Sequence, residues 1–170
     1  MSQFQKMEIF PDWFMELFTA DDVLSNKFLM SKRYSQGQCL VAKVIFMKNS
    51  LLIVDDEAML PGLIQEYLEA VTDMEIRVAH SGEDALVCIE KSKPDVCMVD
   101  LRLPGMDGNQ FVLKALQVHP QCKCIIHTGA IDYTIPMQLQ ELGLTEQSIL
   151  YKPVPRLQLY VEKIKAVLSA

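Results

Sequence analysis

Short apolar runs alternate with longer amphipathic segments five times from residue 51 onward. The apolar runs cover residues 51–54, 76–79, 96–99, 124–127 and 149–151. The segments between them repeat apolar residues at helical intervals, and the last one runs from about residue 155 to residue 168. Near-continuous apolar strands that alternate with helices are typical of a parallel sheet covered on both faces.

Five such units in residues 49–170 predict an α/β fold of the flavodoxin-like type, a doubly wound five-stranded parallel sheet with helices on both faces. Right-handed crossovers and the strand order 2-1-3-4-5 follow as the default for this fold. Ser81 followed by Asp84 predicts a helix start, Gly143 suits a helix end, and Pro61 fits only within a first turn. In such sheets, ligands bind beyond the carboxyl ends of the strands.

Residues 1–48 form an N-terminal extension that resembles no family. Apolar residues at helical spacing predict a helix within residues 10–30, namely Phe10, Trp13, Phe14, Leu17 and Phe18. A helix packed on the main domain, or a partly disordered segment, is the simplest interpretation. A partner-docking or dimerising helix is the main alternative. Another is that the natural chain starts near Met47 and the upstream segment comes from a start codon assigned too early. Membrane-surface binding is disfavoured because few basic residues flank the apolar stripe.

Charge and composition narrow the functional classes. The net charge is −6, and it is uneven: residues 1–48 carry +1, whereas residues 49–170 carry −7. An acidic domain lacks the basic surface that direct nucleic-acid binding requires. No apolar run approaches the roughly 20 residues of a membrane span, and no secretory signal opens the chain. The five cysteines include no Cys-x-x-Cys pair, so we expect reduced, mostly buried thiols in a cytoplasmic protein.

Acidic, hydroxyl and basic residues follow the predicted strands at their carboxyl ends. Asp55 and Asp56 follow the first strand, Asp100 follows the third, Thr128 ends the fourth, and Lys152 ends the fifth. Two carboxylates about 4 Å apart repel by roughly 4 kcal/mol at an effective dielectric of 20. A divalent cation relieves that repulsion, and Mg²⁺ prefers hard oxygen ligands. The sequence therefore predicts a magnesium site at this edge.

These residues resemble the receiver domain of two-component response regulators over about residues 50–170. Supporting local matches are the segment 103–108, which reads LPGMDG, and the step from Lys152 to Pro153, a candidate cis peptide bond. Each motif is short, but all of them occur in the family's order and at predicted strand ends.

The resemblance implies a role for each matching residue. Asp100 would be the phosphoacceptor that attacks a phosphohistidine of a sensor histidine kinase or of a histidine phosphotransfer protein. Thr128 and Lys152 would bind the phosphoryl oxygens. Asp56, Asp100 and the backbone carbonyl of Arg102 would ligate Mg²⁺, and Asp55 would hold the ion through water. The chain would then be a signalling domain rather than an enzyme, promoting only its own phosphorylation and dephosphorylation.

The pattern departs from the family at one position. Receivers usually carry Tyr or Phe three residues before the lysine, where this chain has Ile149, and it is open whether Tyr151 compensates. His127, next to Thr128, is expected to point to the opposite face of the sheet from Thr128, as strand neighbours do, and no chemical role is expected for it.

Because the sequence ends after the fifth helix, we expect a stand-alone receiver that acts by binding another protein. The face of the fourth helix, fifth strand and fifth helix is the family's usual homodimer surface. Two alternatives remain: an adaptor that does not use phosphorylation, suggested by Ile149, and a magnesium-dependent hydrolase of the haloacid dehalogenase type. The hydrolase is disfavoured because Arg102 stands where its second acid belongs.

Overall fold

The structure, a computed structural model, describes residues 28–31, 43–46 and 48–169 of the chain. The chain divides into two compact units, Met1–Lys48 and Asn49–Ala170. In the first unit, strands β1 (Phe28–Ser31) and β2 (Lys43–Phe46) pair antiparallel.

The helix predicted within residues 10–30 lies outside the described residues except at its end. That end is wrong, because residues 28–30 belong to β1. The backbone groups of β1 pair with the apolar strand β2 in a ladder, which replaces the hydrogen bonds of a helix.

The second unit is built on a five-stranded parallel sheet. Its strands are β3 (Ser50–Val54), β4 (Glu75–Ala79), β5 (Val96–Val99), β6 (Lys123–Thr128) and β7 (Ile149–Tyr151). They lie in the order β4-β3-β5-β6-β7, which is 2-1-3-4-5 when counted within this unit. The predicted flavodoxin-like fold is confirmed, and each strand begins and ends within one residue of its predicted bounds.

Helices alternate with these strands along the chain. They are α1 (Leu60–Val71), α2 (Gly82–Ser92), α3 (Gly108–Val118), α4 (Met137–Glu141) and α5 (Gln158–Ser169), with a 3₁₀ turn at Glu146–Ser148. In the part of the chain that the structure describes, no helix combines the length and the apolar character needed to cross a membrane.

The predicted helix signals are found where the sequence placed them. The Ser81 hydroxyl accepts a hydrogen bond from the Asp84 amide at 3.1 Å and opens α2. Pro61 lies in the first turn of α1, and Gly143 follows α4 with a left-handed φ of +93°. The Asp107 carboxylate caps α3 by accepting from the Asn109 amide at 2.9 Å, a contact that the sequence analysis did not predict.

Two apolar layers hold the sheet between the helices because successive side chains of each strand point to opposite faces. One layer joins Leu52, Val54, Cys97, Val99 and Ile126 to residues of α2, α3 and α4. The other joins Leu51, Ile53, Met98 and Ile125 to residues of α1 and α5. Strands β3 and β5 are buried on both faces, so their positions, and those of the residues that follow them, are fixed by packing.

The loop after β5 packs tightly against the start of α3. A Cβ added at Gly108 would lie 2.2 Å from the carbonyl oxygen of Asp100 and 2.8 Å from the Cα of Leu101. The Gly108 amide also donates to the Leu101 carbonyl at 3.0 Å. A side chain at this position would therefore displace the backbone of Asp100.

We expect Gly108→Ala to lower the free energy of unfolding by about 1–3 kcal/mol, because the methyl group overpacks a backbone contact. The matched control is Gly62→Ala in α1, where an added Cβ meets no atom within 4 Å. Ala at Gly62 should raise the free energy of unfolding by about 0.5–1 kcal/mol, the difference in helix propensity. Urea unfolding of both variants measures the two effects; equal effects would contradict the described packing.

Candidate functional site

Three carboxylates meet at the carboxyl edge of the parallel sheet. Asp55, Asp56 and Asp100 each offer an oxygen, and these oxygens lie within 4.8 Å of one another. The sheet fixes two of them through the backbone: the Asp55 amide donates to the Ala79 carbonyl at 3.1 Å, and the Asp100 amide donates to the Val54 carbonyl at 2.8 Å. Asp55 and Asp100 are buried, whereas Asp56 is exposed.

The Lys152 ammonium group lies among these carboxylates. Its Nζ donates to Oδ2 of Asp55 at 2.8 Å, to Oδ2 of Asp100 at 3.1 Å and to Oε1 of Glu57 at 3.1 Å. Lys152 follows β7, its amide donates to the Thr128 carbonyl at 2.7 Å, and its bond to Pro153 is cis. One positive charge thus bridges the ends of β3 and β5.

Burial and charge shift the protonation equilibria of this cluster in opposite directions. Burial raises the pKa of Asp55 above its ordinary value, and the hydrogen bond from Lys152 partly offsets that rise. Burial also acts to lower the pKa of Lys152, but its hydrogen bonds to Asp55 and Asp100 outweigh burial and leave that pKa above the ordinary value. The lysine therefore stays charged at neutral pH and is a fixed cation in the site.

The other predicted residues flank the carboxylates. Thr128 is buried at the end of β6, and its hydroxyl accepts a hydrogen bond from the Ala130 amide at 3.1 Å. The Arg102 amide donates to Oδ1 of Asp100 at 3.3 Å, which places the loop after β5 beside this carboxylate. Asp100, Arg102, Gly129 and Lys152 line one open cavity of about 550 Å³, together with apolar residues of α1 and of the segment from Pro153 to Tyr160.

Glu57 belongs to the site although the sequence analysis did not assign it there. Its amide donates to Oδ1 of Asp55 at 3.0 Å, and its carboxylate contacts Lys152. The acidic run of Asp55, Asp56 and Glu57 was the available signal, because a third acid directly after the pair also lies at the strand end.

His127 contacts Tyr160 in the apolar layer of α1 and α5, on the face that strand alternation predicted, and from that face it also approaches Asp55. Its ring Nε2 lies 3.0 Å from the Tyr160 hydroxyl, and its Nδ1 lies 4.0 Å from Oδ2 of Asp55. Burial, followed by the charge of Lys152, lowers the pKa of His127 to about 4, so the imidazole is neutral at pH 7 and its approach to Asp55 is not a salt bridge. Tyr160 lies far along the sequence on α5, so the sequence carried no signal for this pair.

Ile149 and Tyr151 differ in their surroundings. Ile149 is buried in the apolar layer next to α3 and α4, whereas Tyr151 is 44% exposed and pairs with Thr128 across the two strands. Another aromatic residue, Tyr133, follows Thr128 in the chain, and its hydroxyl donates to the side chain of Asn109 on α3.

The donors of the acidic cluster fit a hard divalent cation. Every ligand atom in the group is a carboxylate oxygen, and the only positive charge described among these oxygens is that of Lys152. Three carboxylates against one ammonium group leave an excess of negative charge that a small divalent ion offsets.

Comparisons with known proteins identify the family of this chain. Residues 51–164 match the family described as "Response regulator receiver domain". The chain is 37% identical over 102 residues to a protein-glutamate methylesterase/protein-glutamine glutaminase of Thiobacillus denitrificans, covering 59% of this chain and 29% of that protein. The chain thus spans about a third or less of the curated relatives it matches.

Solved structures give the same result. A response regulator receiver domain protein from Methanospirillum hungatei aligns with a TM-score of 0.65 and 27% identity, over 72% of this chain and 95% of that one. A putative response regulator from Chloroflexus aurantiacus aligns with a TM-score of 0.62 and 29% identity, over 73% and 100%. With its acidic cluster, bridging lysine and parallel sheet, the chain belongs to the response regulator receiver domain family.

Proposed function

We propose that this receiver domain accepts a phosphoryl group on Asp100, in a magnesium-dependent reaction, from a sensor histidine kinase or a histidine phosphotransfer protein. The observation that carries the proposal is the position of Lys152, whose Nζ contacts both Asp55 and Asp100 within a cluster of three carboxylates. Three carboxylates so close together repel one another strongly unless a cation lies among them. The Asp100 carboxylate also lines an open cavity.

The transfer itself requires alignment and charge neutralisation more than covalent help from the protein. A carboxylate oxygen of Asp100 forms the new bond to phosphorus, the bond from phosphorus to the donor imidazole nitrogen breaks, and the imidazole leaves with the electron pair of that bond. Asp56, Asp100 and the Arg102 carbonyl would hold a magnesium ion, with Asp55 holding it through water, and this ion would supply positive charge at the phosphoryl oxygens.

Three residues of this chain would bind the phosphoryl oxygens or orient the acceptor. Lys152 is charged and already 3.1 Å from Oδ2 of Asp100, so a short movement brings Nζ to a phosphoryl oxygen on that residue. The hydroxyl of Thr128 accepts from Ala130 but keeps its own proton free to donate to another phosphoryl oxygen. The Arg102 amide, which donates to Oδ1 of Asp100, keeps the acceptor carboxylate in one orientation.

The phosphorylated state would signal through contacts with another protein or a second copy of this chain. The face of α4, β7 and α5 exposes apolar side chains, including Met137, 73% exposed, and Tyr151, 44% exposed. An adaptor that does not use phosphorylation is the second candidate, favoured by the buried Ile149 in place of an aromatic residue. The free cysteines among the described residues suit a cytoplasmic location.

The methylesterase and glutaminase activities named for the curated relatives are not part of the proposal. The chain aligns with 31% and 29% of the first two of those proteins, so their whole-protein activities do not transfer. The proposal is limited to the receiver unit.

We expect acetyl phosphate with Mg²⁺ to add one phosphoryl group to the protein, because the Asp100 carboxylate lines an open cavity beside a fixed cation. The modification should be stable to acid, labile to base, and lost when Mg²⁺ is chelated. Asp100→Ala should abolish it, whereas Asp73→Ala, which removes an exposed carboxylate from the loop between α1 and β4, should retain it. Intact-protein mass spectrometry measures each case.

Two further assays, the response to beryllofluoride and the release of phosphate from organic esters, separate the alternatives. Absence of any modification of the wild type, with no response to beryllofluoride, would favour the adaptor and refute phosphoryl acceptance. Sustained release of phosphate from organic phosphate esters would instead favour the hydrolase.

The charge repulsion in the cluster makes a separate prediction about stability. Without divalent cations, Asp56→Asn should raise the free energy of unfolding by about 1 kcal/mol, a Coulomb gain reduced by the exposure of Asp56 to water. Millimolar Mg²⁺ should then stabilise the wild type more than the variant, because binding to the folded state alone raises stability.

Thermal unfolding with and without Mg²⁺ measures both effects. The control is Asp73→Asn, which removes a charge far from the cluster and should change neither result. Equal stabilisation of wild type and Asp56→Asn by Mg²⁺ would place the ion elsewhere.

A further inference from the structure

A buried hydrogen-bonded pair joins the acidic cluster to helix α5. His127 on β6 is 1% exposed, and Tyr160 on α5 is 2% exposed. The Tyr160 hydroxyl lies 3.0 Å from Nε2 of His127, and the two rings pack edge to face with centroids 5.3 Å apart. The other ring nitrogen, Nδ1, lies 4.0 Å from Oδ2 of Asp55.

The surroundings select one tautomer of the His127 ring. A neutral imidazole carries its proton on one nitrogen only, and the other nitrogen accepts. A proton on Nδ1 faces the Asp55 carboxylate, whereas a lone pair there would face a negative charge. With the proton on Nδ1, Nε2 is free to accept a hydrogen bond from the Tyr160 hydroxyl. Tyr160 therefore fixes His127 as a donor directed at Asp55.

The Nδ1–H group of His127 makes no hydrogen bond to Asp55 while the Lys152 ammonium group is bound to that carboxylate. Oδ2 of Asp55 receives the Lys152 ammonium group at 2.8 Å, and 4.0 Å is too long for a hydrogen bond from Nδ1. Lys152 is shared with Asp100, however, and the proposed function draws its Nζ toward a phosphoryl group on that residue. Oδ2 of a buried carboxylate would then lose its donor, which costs free energy unless another donor replaces it.

We infer that His127 is a positioning residue for the phosphoacceptor site: its Nδ1–H takes over Oδ2 of Asp55 when Lys152 turns to the phosphoryl group, and Tyr160 holds the ring in place for this exchange. The inference rests on the proposed function. His127 acts on the reacting atoms only through Asp55, whose orientation it preserves in the loaded state.

The exchange would also connect the site to the surface. A movement of His127 toward Asp55 acts on the Tyr160 hydroxyl, and Tyr160 belongs to α5, part of the face with exposed apolar side chains. Ile149, which occupies the position where receivers usually carry an aromatic residue, takes no part in this connection.

Nitrogen-15 NMR of the histidine side chains in the full chain tests the inference. The chain has three histidines, and His80→Gln and His119→Gln assign two signals and leave that of His127 by elimination. In the free protein we expect the His127 proton on Nδ1. Addition of Mg²⁺ with beryllofluoride, a phosphoryl mimic, should move the Nδ1–H proton signal downfield as its hydrogen bond to Asp55 forms.

Tyr160→Phe removes the hydroxyl and keeps the ring. It should convert the single His127 tautomer to a mixture and weaken the beryllofluoride-induced shift. The matched control, Tyr67→Phe, removes a hydroxyl from a half-buried tyrosine of α1 that packs on the same apolar layer, and it should leave the His127 signals unchanged. A purely structural role for the pair would leave the Nδ1–H signal the same in the free and loaded states.

The outcomes separate this inference from the proposed function. Beryllofluoride binding is detected independently, by shifts of the Gly129 and Ala130 amides that vanish in Asp100→Ala. If those amides shift while the His127 signal does not, or if the free protein carries the proton on Nε2, the role of His127 is refuted and phosphoryl acceptance stands. If the amides do not respond at all, the proposed function fails, and the role of His127 fails with it.

Discussion

Repulsion between carboxylates at the edge of the sheet is the constraint on which this site depends. Asp55, Asp56 and Asp100 bring their oxygens within 4.8 Å of one another, and a folded chain tolerates this only if positive charge lies among them. Lys152 supplies that charge within the chain, by contacts of 2.8 Å to Asp55 and 3.1 Å to Asp100. One ammonium group does not balance three carboxylates, so the site retains an attraction for a cation, and a bound cation would in turn attract the oxygens of a phosphoryl group.

The fold holds this unfavourable arrangement in place. The two buried strands β3 and β5 are neighbours, so Asp55 and Asp100 leave the sheet side by side. Both faces of these strands pack against helices. The backbone of Asp100 and Leu101 packs closely against Gly108 at the start of α3. The stability of the two apolar layers thus offsets the electrostatic cost at the edge of the sheet, where the carboxylates lie.

Much of this arrangement was predictable from the sequence, for identifiable reasons. Buried strands of a parallel sheet are continuous apolar runs, so residues 51–54 and 96–99 indicated the strands, and the acids directly after them indicated the edge. Gly143 and Ser81 indicated helix ends through local geometry.

What could not be predicted depends on distant residues. The hydroxyl of Tyr160 meets the ring of His127 only after α5 packs on the sheet, and alternation along β6 predicted the face of His127 but not its approach to Asp55. Residues 28–30 belong to β1 because they pair with β2, a contact that their own sequence did not predict.

The central claim is that Asp100 accepts the phosphoryl group because Lys152 and a divalent cation neutralise the surrounding carboxylates. A crystal structure grown with Mg²⁺ and beryllofluoride tests it most directly. The account predicts beryllofluoride bonded to a carboxylate oxygen of Asp100, an ion among the three carboxylates, and Nζ of Lys152 moved from Oδ2 of Asp55 to a fluoride. Beryllofluoride on another carboxylate, or a loaded Asp100 with Lys152 still bound to Asp55, would contradict it.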